Sequence, residues 1–118
     1  MKVIIAGSRK LYPKYEDVFT AMTLSEFDVV EIVSGMARGV DTVAAMYARK
    51  YPKSYSLKKF PADWEKHGKR AGYIRNSEMA EYADALIVIR KERSRGTDMM
   101  IEIATKKGMP VYIHELEK

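Results

Sequence analysis

Ser34-Gly35-Met36-Ala37-Arg38-Gly39-Val40-Asp41 follows directly on the apolar, β-branched run Val29–Val33. It leads into a segment whose apolar residues, Val40, Val43, Ala44 and Tyr47, recur at helical spacing. A strand that passes through two glycines into a helix is the βα turn of a parallel sheet, and this stretch decides the fold class. Gly35 and Gly39 allow tight backbone approach, while free N–H groups at the start of the next helix, aided by its dipole, offer an anion site. Arg38 adds a forked pair of donors suited to phosphate oxygens. Two roles are open to Asp41: an acid in the first helical turn, favoured by the dipole, or an acceptor for a ribose hydroxyl. With Ser34, which opens the loop, these are candidate ligand-binding residues. The stretch is neither the dinucleotide fingerprint with its three spaced glycines nor a Walker loop, because no Gly-Lys-Ser/Thr is present. A turn that simply needs glycine remains open on spacing alone.

Four more apolar runs lie on either side: Val3–Ala6, Tyr55–Leu57, Ala85–Ile89 and Val111–Ile113. All the runs except Tyr55–Leu57 lack polar alternation, which predicts strands covered on both faces. Ser54, Ser56 and Lys58 alternate with apolar neighbours and predict an edge strand. Helical spacing recurs at Val18, Ala21 and Met22 and at Met100, Ile103 and Ala104, with a less regular helix between Lys69 and Ala83. Pro13 and Gly108 stand where helix start and stop signals belong. The order βαβαβαβαβ predicts an α/β, Rossmann-like, doubly wound parallel sheet of about five strands, in one domain over residues 1–118.

In such sheets ligands bind at the carboxyl ends of the strands, near the point where strand order reverses. The polar residues gather at that edge. Gly7-Ser8-Arg9 follows the first strand, with Gly7 allowing phosphate approach and Ser8 or Arg9 donating. Ser94-Arg95-Gly96-Thr97 follows the fourth, with Thr97 as the expected N-cap, Gly96 admitting a ligand and Arg95 facing the cleft. Arg90 to Arg95 holds four basic residues and one acid, a local charge of +3. After the third strand, Pro61 to Arg70 is expected as a mobile segment that closes over the cleft. Trp64 either stacks on a base or plugs the core, His67 is expected to be structural, and His114 to lie at the surface. Asp41, Asp63, Glu65 and Asp98 are the nearby carboxylates, but no two can be assigned as a general acid/base pair, so the catalytic residues are unknown. Serine-hydrolase, histidine-metal and kinase motifs are absent, and no metal or cofactor is implied.

The chain has 118 residues, enough to bury a core without staples, and no cysteine, which removes thiol chemistry and suits a reducing, cytoplasmic setting. Its formal charge of +5 favours an anionic partner, either a nucleotide or a single-stranded nucleic acid. No run approaches the ~20 apolar residues of a membrane span, so no membrane partner is expected. The eight methionines fall mainly on helices and read as core. The helix with Met99, Met100 and Ile103 carries more apolar residues than one face needs, which predicts a homo-oligomer.

Ile5-Ala6-Gly7-Ser8-Arg9, Ser34 to Asp41, Arg75-Asn76, Ser94-Arg95-Gly96-Thr97 and Gly108-Met109-Pro110-Val111, taken in order, resemble the SLOG superfamily. These are Rossmann-like domains that bind nucleotides and nucleotide-derived ligands, and the chain is most similar to their small YspA-like bacterial and phage members. The resemblance covers nearly the whole chain and implies a site that senses or sequesters a nucleotide, with base or ribose near Trp64, Arg75 and Asn76. Ser34 to Asp41 and Arg75-Asn76 also resemble the Rossmann core of the DNA-processing protein A family, which binds single-stranded DNA during transformation. A third likeness is to the Lonely Guy phosphoribohydrolases, which cleave the base from a nucleoside monophosphate. Met99 and Met100 occupy the positions of that family's glutamate, leaving Asp98 as the candidate substitute.

Overall fold

The side chains of β1 (Lys2–Gly7) alternate between two separate cores: Val3 and Ile5 face one layer of helices, Ile4 and Ala6 the other. β4 (Ala85–Arg90) repeats the division, with Ile87 and Ile89 on the first side and Leu86 and Val88 on the second. Both strands are therefore apolar at consecutive positions, as expected for central strands of a parallel sheet. Each fully buried Ile or Leu contributes about 1.5–3 kcal/mol. These features come from a computed structural model that describes residues 1–117; Lys118, the end of the expected 1–118 domain, lies outside them.

The sheet has five parallel strands in the order β3-β2-β1-β4-β5, with β2 at Glu31–Ser34, β3 at Ser56–Lys59 and β5 at Val111–Glu115. Helices α1 (Tyr15–Ser25) and α2 (Val40–Lys50) cover one face, with Val18, Ala21, Val43, Ala44 and Tyr47 in its core. Helices α4 (Ala71–Tyr82) and α5 (Arg95–Lys106) cover the other through Met79, Ala80, Met100 and Ala104. The expected α/β doubly wound sheet is thus present, and β3 is an edge strand.

Several expectations are corrected. β5 is only half-buried rather than covered on both faces, because it is the other edge of the sheet. β2 begins at Glu31; the N–H of Val30 turns to the Met1 carbonyl, and Val30 is exposed. The Pro61 to Arg70 segment is not irregular throughout: it holds a short helix, α3 (Trp64–His67), N-capped by the Asp63 carboxylate, followed by a 3-10 turn at Gly68–Arg70. His114 is half-buried in β5, its ring beside that of Tyr112, not free at the surface.

Candidate functional site

From β1 the chain moves outward to β2 and β3, then crosses back to place β4 on the other side of β1. The loops after β1 and β4 consequently diverge, and a cleft of about 830 Å³ opens at the carboxyl ends of these strands. Gly7, Ser8 and Arg9 form its floor, Asp41 enters from α2, and Trp64, Tyr73, Arg75 and Asn76 come from the β3 to α4 side. Ser94, Gly96 and Thr97 at the start of α5 complete it together with Met99 and Met100. Lys10, Lys69, Lys91 and Arg93 join Arg9 and Arg75 as lining cations, against the carboxylates of Asp41 and Glu92.

Two glycines determine how closely the walls approach. A Cβ on Gly7 would stand 2.6 Å from Val40 Cγ2, so only glycine lets β1 pass beneath the start of α2. Gly39 has φ 80° and ψ −132°, and its missing side chain leaves room for the backbone of Ser8 and Arg9. The N–H of Val40 then donates to the Ser8 carbonyl at 3.2 Å, tying the first loop to α2.

Behind this contact lies a buried polar network. Ser34 Oγ donates to the Asp41 carbonyl at 2.9 Å and accepts from the Met36 N–H at 3.1 Å. The Asp41 carboxylate accepts the N–H of Ala37 at 3.3 Å and that of Gly7. Burial pushes its pKa up to about 6, opposed by the Arg75 guanidinium, these two N–H groups and Arg9. Arg75, itself buried, donates from Nε to Asn76 Oδ1 at 2.7 Å and from Nη1 to the Gly35 carbonyl at 2.5 Å. Burial favours loss of its charge, the Asp41 carboxylate opposes this, and Arg9 adds to it.

Most of the residues singled out from sequence converge here, but not all. Gly35 and Arg38 line a smaller cavity of about 250 Å³ beside the cleft. Ser34 and Gly39 line neither cavity; they shape the walls through the contacts just described. Arg95 is exposed and lines neither. Thr97 is not the N-cap: Ser94 holds that position, and its Oγ donates to Thr97 Oγ1 at 2.9 Å, leaving Thr97 one turn inside α5. Trp64 is 50% exposed and so does not plug the core; the Arg9 guanidinium lies 5.7 Å from its ring centroid. Asp98 is turned to Arg93, at 3.2 Å, and Arg90, at 3.9 Å, and does not line the cleft. On α5, Met100 and Ala104 are buried and Ile103 packs partly against the same core, so the helix uses much of its apolar surface internally. Tyr73, Lys69, Lys91 and Arg93 were not foreseen as site residues; the basic run from Arg90 to Arg95 was the available signal for the last two.

Among the described residues no helix is long and apolar enough to cross a membrane, and no His, Cys, Asp and Glu group could hold a metal ion. No family model matches the chain. Its fold is similar to that of DNA processing protein A from Helicobacter pylori, whose structure describes single-stranded DNA binding, with a TM-score of 0.68 and 21% identity over 96% of this chain. The Streptococcus pneumoniae DNA processing protein A is similar at a TM-score of 0.66 and 22% identity over 95% of this chain. The chain spans 64% and 49% of those two solved chains, respectively, and the likeness is one of fold. In sequence it is 36% identical to the Gene 61 protein of Mycobacterium phage D29, over a 118-residue alignment covering 93% of each protein. At that identity and coverage, the chain belongs to the family of the phage D29 Gene 61 protein.

Proposed function

We propose that the 830 Å³ cleft binds a nucleotide unit, its phosphate held by Arg9 and Arg75 and its base against Trp64 or Tyr73. One observation carries this reading: six cationic side chains and two half-exposed aromatic rings line a single cleft at the switch point of the sheet. On this reading the chain is a small YspA-like SLOG domain that holds its ligand without cleaving it. Asp98, the candidate substitute for a phosphoribohydrolase's glutamate, pairs with Arg90 and Arg93 and does not itself line the cleft. Trp64 is the only tryptophan and lies in the cleft wall, so its fluorescence reports binding directly. Titration with nucleoside monophosphates should quench or shift it, whereas the matching nucleosides should bind far more weakly. Silence with every phosphate compound and every oligonucleotide would reject the reading.

A single-stranded nucleic acid is the second reading, favoured by the fold likeness to DNA processing protein A. Basic side chains interleaved with exposed aromatics suit a strand as well as a free nucleotide. Binding would then weaken steeply with salt, log K falling with log salt at about −0.7 per phosphate contact. A salt-insensitive affinity speaks against the strand. The setting we infer is cytoplasmic and the assembly homo-oligomeric; light scattering that finds a monomer removes the latter.

A further inference from the structure

β5 has the sequence of an interior strand and the position of an edge one. Val111, Tyr112 and Ile113 form an unbroken apolar run, yet each is only half-buried, because no strand pairs with the outer side of β5. The other edge of the sheet is built differently. Lys58 and Lys59 of β3 are exposed lysines, a feature that discourages pairing with a further strand. β5 contains neither lysine nor proline.

The hydrogen bonds show which way the edge points. The Leu86 N–H donates to the Pro110 carbonyl at 3.0 Å and the Leu116 N–H to the Arg90 carbonyl at 2.8 Å, so the even-numbered residues here turn their backbone groups toward β4. Val111, Ile113 and Glu115 turn theirs outward, and none of those N–H or C=O groups bonds elsewhere among the described residues. On one face of the strand the Tyr112 and His114 rings lie side by side, centroids 6.2 Å apart. Charge is divided along the segment: Lys106 and Lys107 precede β5, while Glu115 and Glu117 stand at its far end.

We propose that two copies of the chain join through β5, antiparallel about a twofold axis at Ile113, so that their sheets become one. The proposal gives the homo-oligomer inferred above its interface and rests on that inference. In this register Ile113 exchanges hydrogen bonds with the partner's Ile113, and Val111 with the partner's Glu115, which satisfies every outward backbone group of the strand. Tyr112 stands opposite the partner's His114, extending the ring pair already present. The acidic end of each strand meets the basic end of the other, which argues for a second copy of this chain as the occupant. β5 then becomes the interior strand its sequence describes, and only the lysine-bearing β3 edges stay open. Because the partner's strands run the opposite way, the two clefts lie at opposite ends of the joined sheet and both stay accessible.

Light scattering and amide hydrogen exchange on the full chain test this. The wild type should show twice the 13.5 kDa chain mass. Ile113→Pro removes an outward N–H without touching the ladder to β4, and Val111→Lys gives β5 the protection that β3 has. Each should halve the mass while keeping the native circular dichroism, whereas Lys59→Pro, at the other edge, should leave the mass doubled. In the wild type the Ile113 amide should exchange as slowly as the ladder amides of β4, a reading that needs no variant. An oligomer whose Ile113 amide exchanges freely, or whose mass survives both folded β5 variants, overturns this interface and leaves the homo-oligomer standing. A wild-type monomer overturns both, and a free Ile113 amide in that monomer leaves the edge to an extended segment of another protein.

Discussion

Replacing Gly39 by alanine tests how the site is held together. Gly39 sits at φ 80° and ψ −132°, a conformation that costs an L-residue about 1–3 kcal/mol. The new methyl group would also stand 2.7 Å from the Arg9 carbonyl carbon and 2.8 Å from its Cα, so the backbone after β1 must move. That movement breaks the bond from the Val40 N–H to the Ser8 carbonyl, worth about 1 kcal/mol. The combined loss is about 3 kcal/mol. Unfolding entropy near 2.1 cal/mol/K per residue gives about 0.25 kcal/mol/K for 118 residues, so Tm should fall by about 12 °C. Thermal unfolding followed by circular dichroism measures it. Gly68→Ala is the internal control: φ 57° and ψ −135° are close to those of Gly39, but nothing lies within 4 Å of its added Cβ, so only the conformational cost of about 2 kcal/mol applies and Tm should fall by about 8 °C. Equal shifts for the two variants would refute the claim that close approach of loop and helix, rather than glycine's backbone freedom, sets the requirement at Gly39.

Asp41 should make the protein lose stability as pH rises. Its pKa is 3.8 when unfolded and about 6 when folded, so the neutral form is favoured by folding. The contribution is fully present below about pH 4, is lost as pH rises through about 6, and amounts to about 3 kcal/mol. Urea unfolding at pH 4 and pH 7 should show a smaller difference in Asp41→Asn than in the wild type; an unchanged slope contradicts the assignment. Gly96→Ala places a methyl in open space within the first turn of α5 and should stabilise by about 0.5 kcal/mol, seen as a Tm raised by about 2 °C. A drop would mean that the backbone there is not helical. Trp64→Ala, at a half-exposed position, should alter Tm little but weaken nucleotide affinity about tenfold by calorimetry, within the 1–3 kcal/mol of a stacked base. Unchanged affinity would place the base elsewhere.

Much of the architecture was legible along the chain because parallel strands and helices declare themselves through local period. The unbroken apolar runs at Val3–Ala6 and Ala85–Ile89 marked the central strands, and alternation around Leu57 marked β3 as an edge. The half-burial of β5 was not legible, since its apolar run reads like that of an interior strand and only the strand order exposes one side. Gly7, Ser8, Arg9, Gly96 and Thr97 were recognisable as cleft residues because a parallel sheet brings every strand-to-helix loop to one edge. The tertiary structure alone decided the rest. It set Arg75 against the Gly35 carbonyl forty residues away, turned Asp98 out to Arg90 and Arg93, and divided the binding space along Arg9 and Trp64. Local sequence specifies which segments become strands, helices and loops. Which side chains from different loops share a wall depends on the order in which the strands pair, and that order is fixed by burying two apolar faces at once.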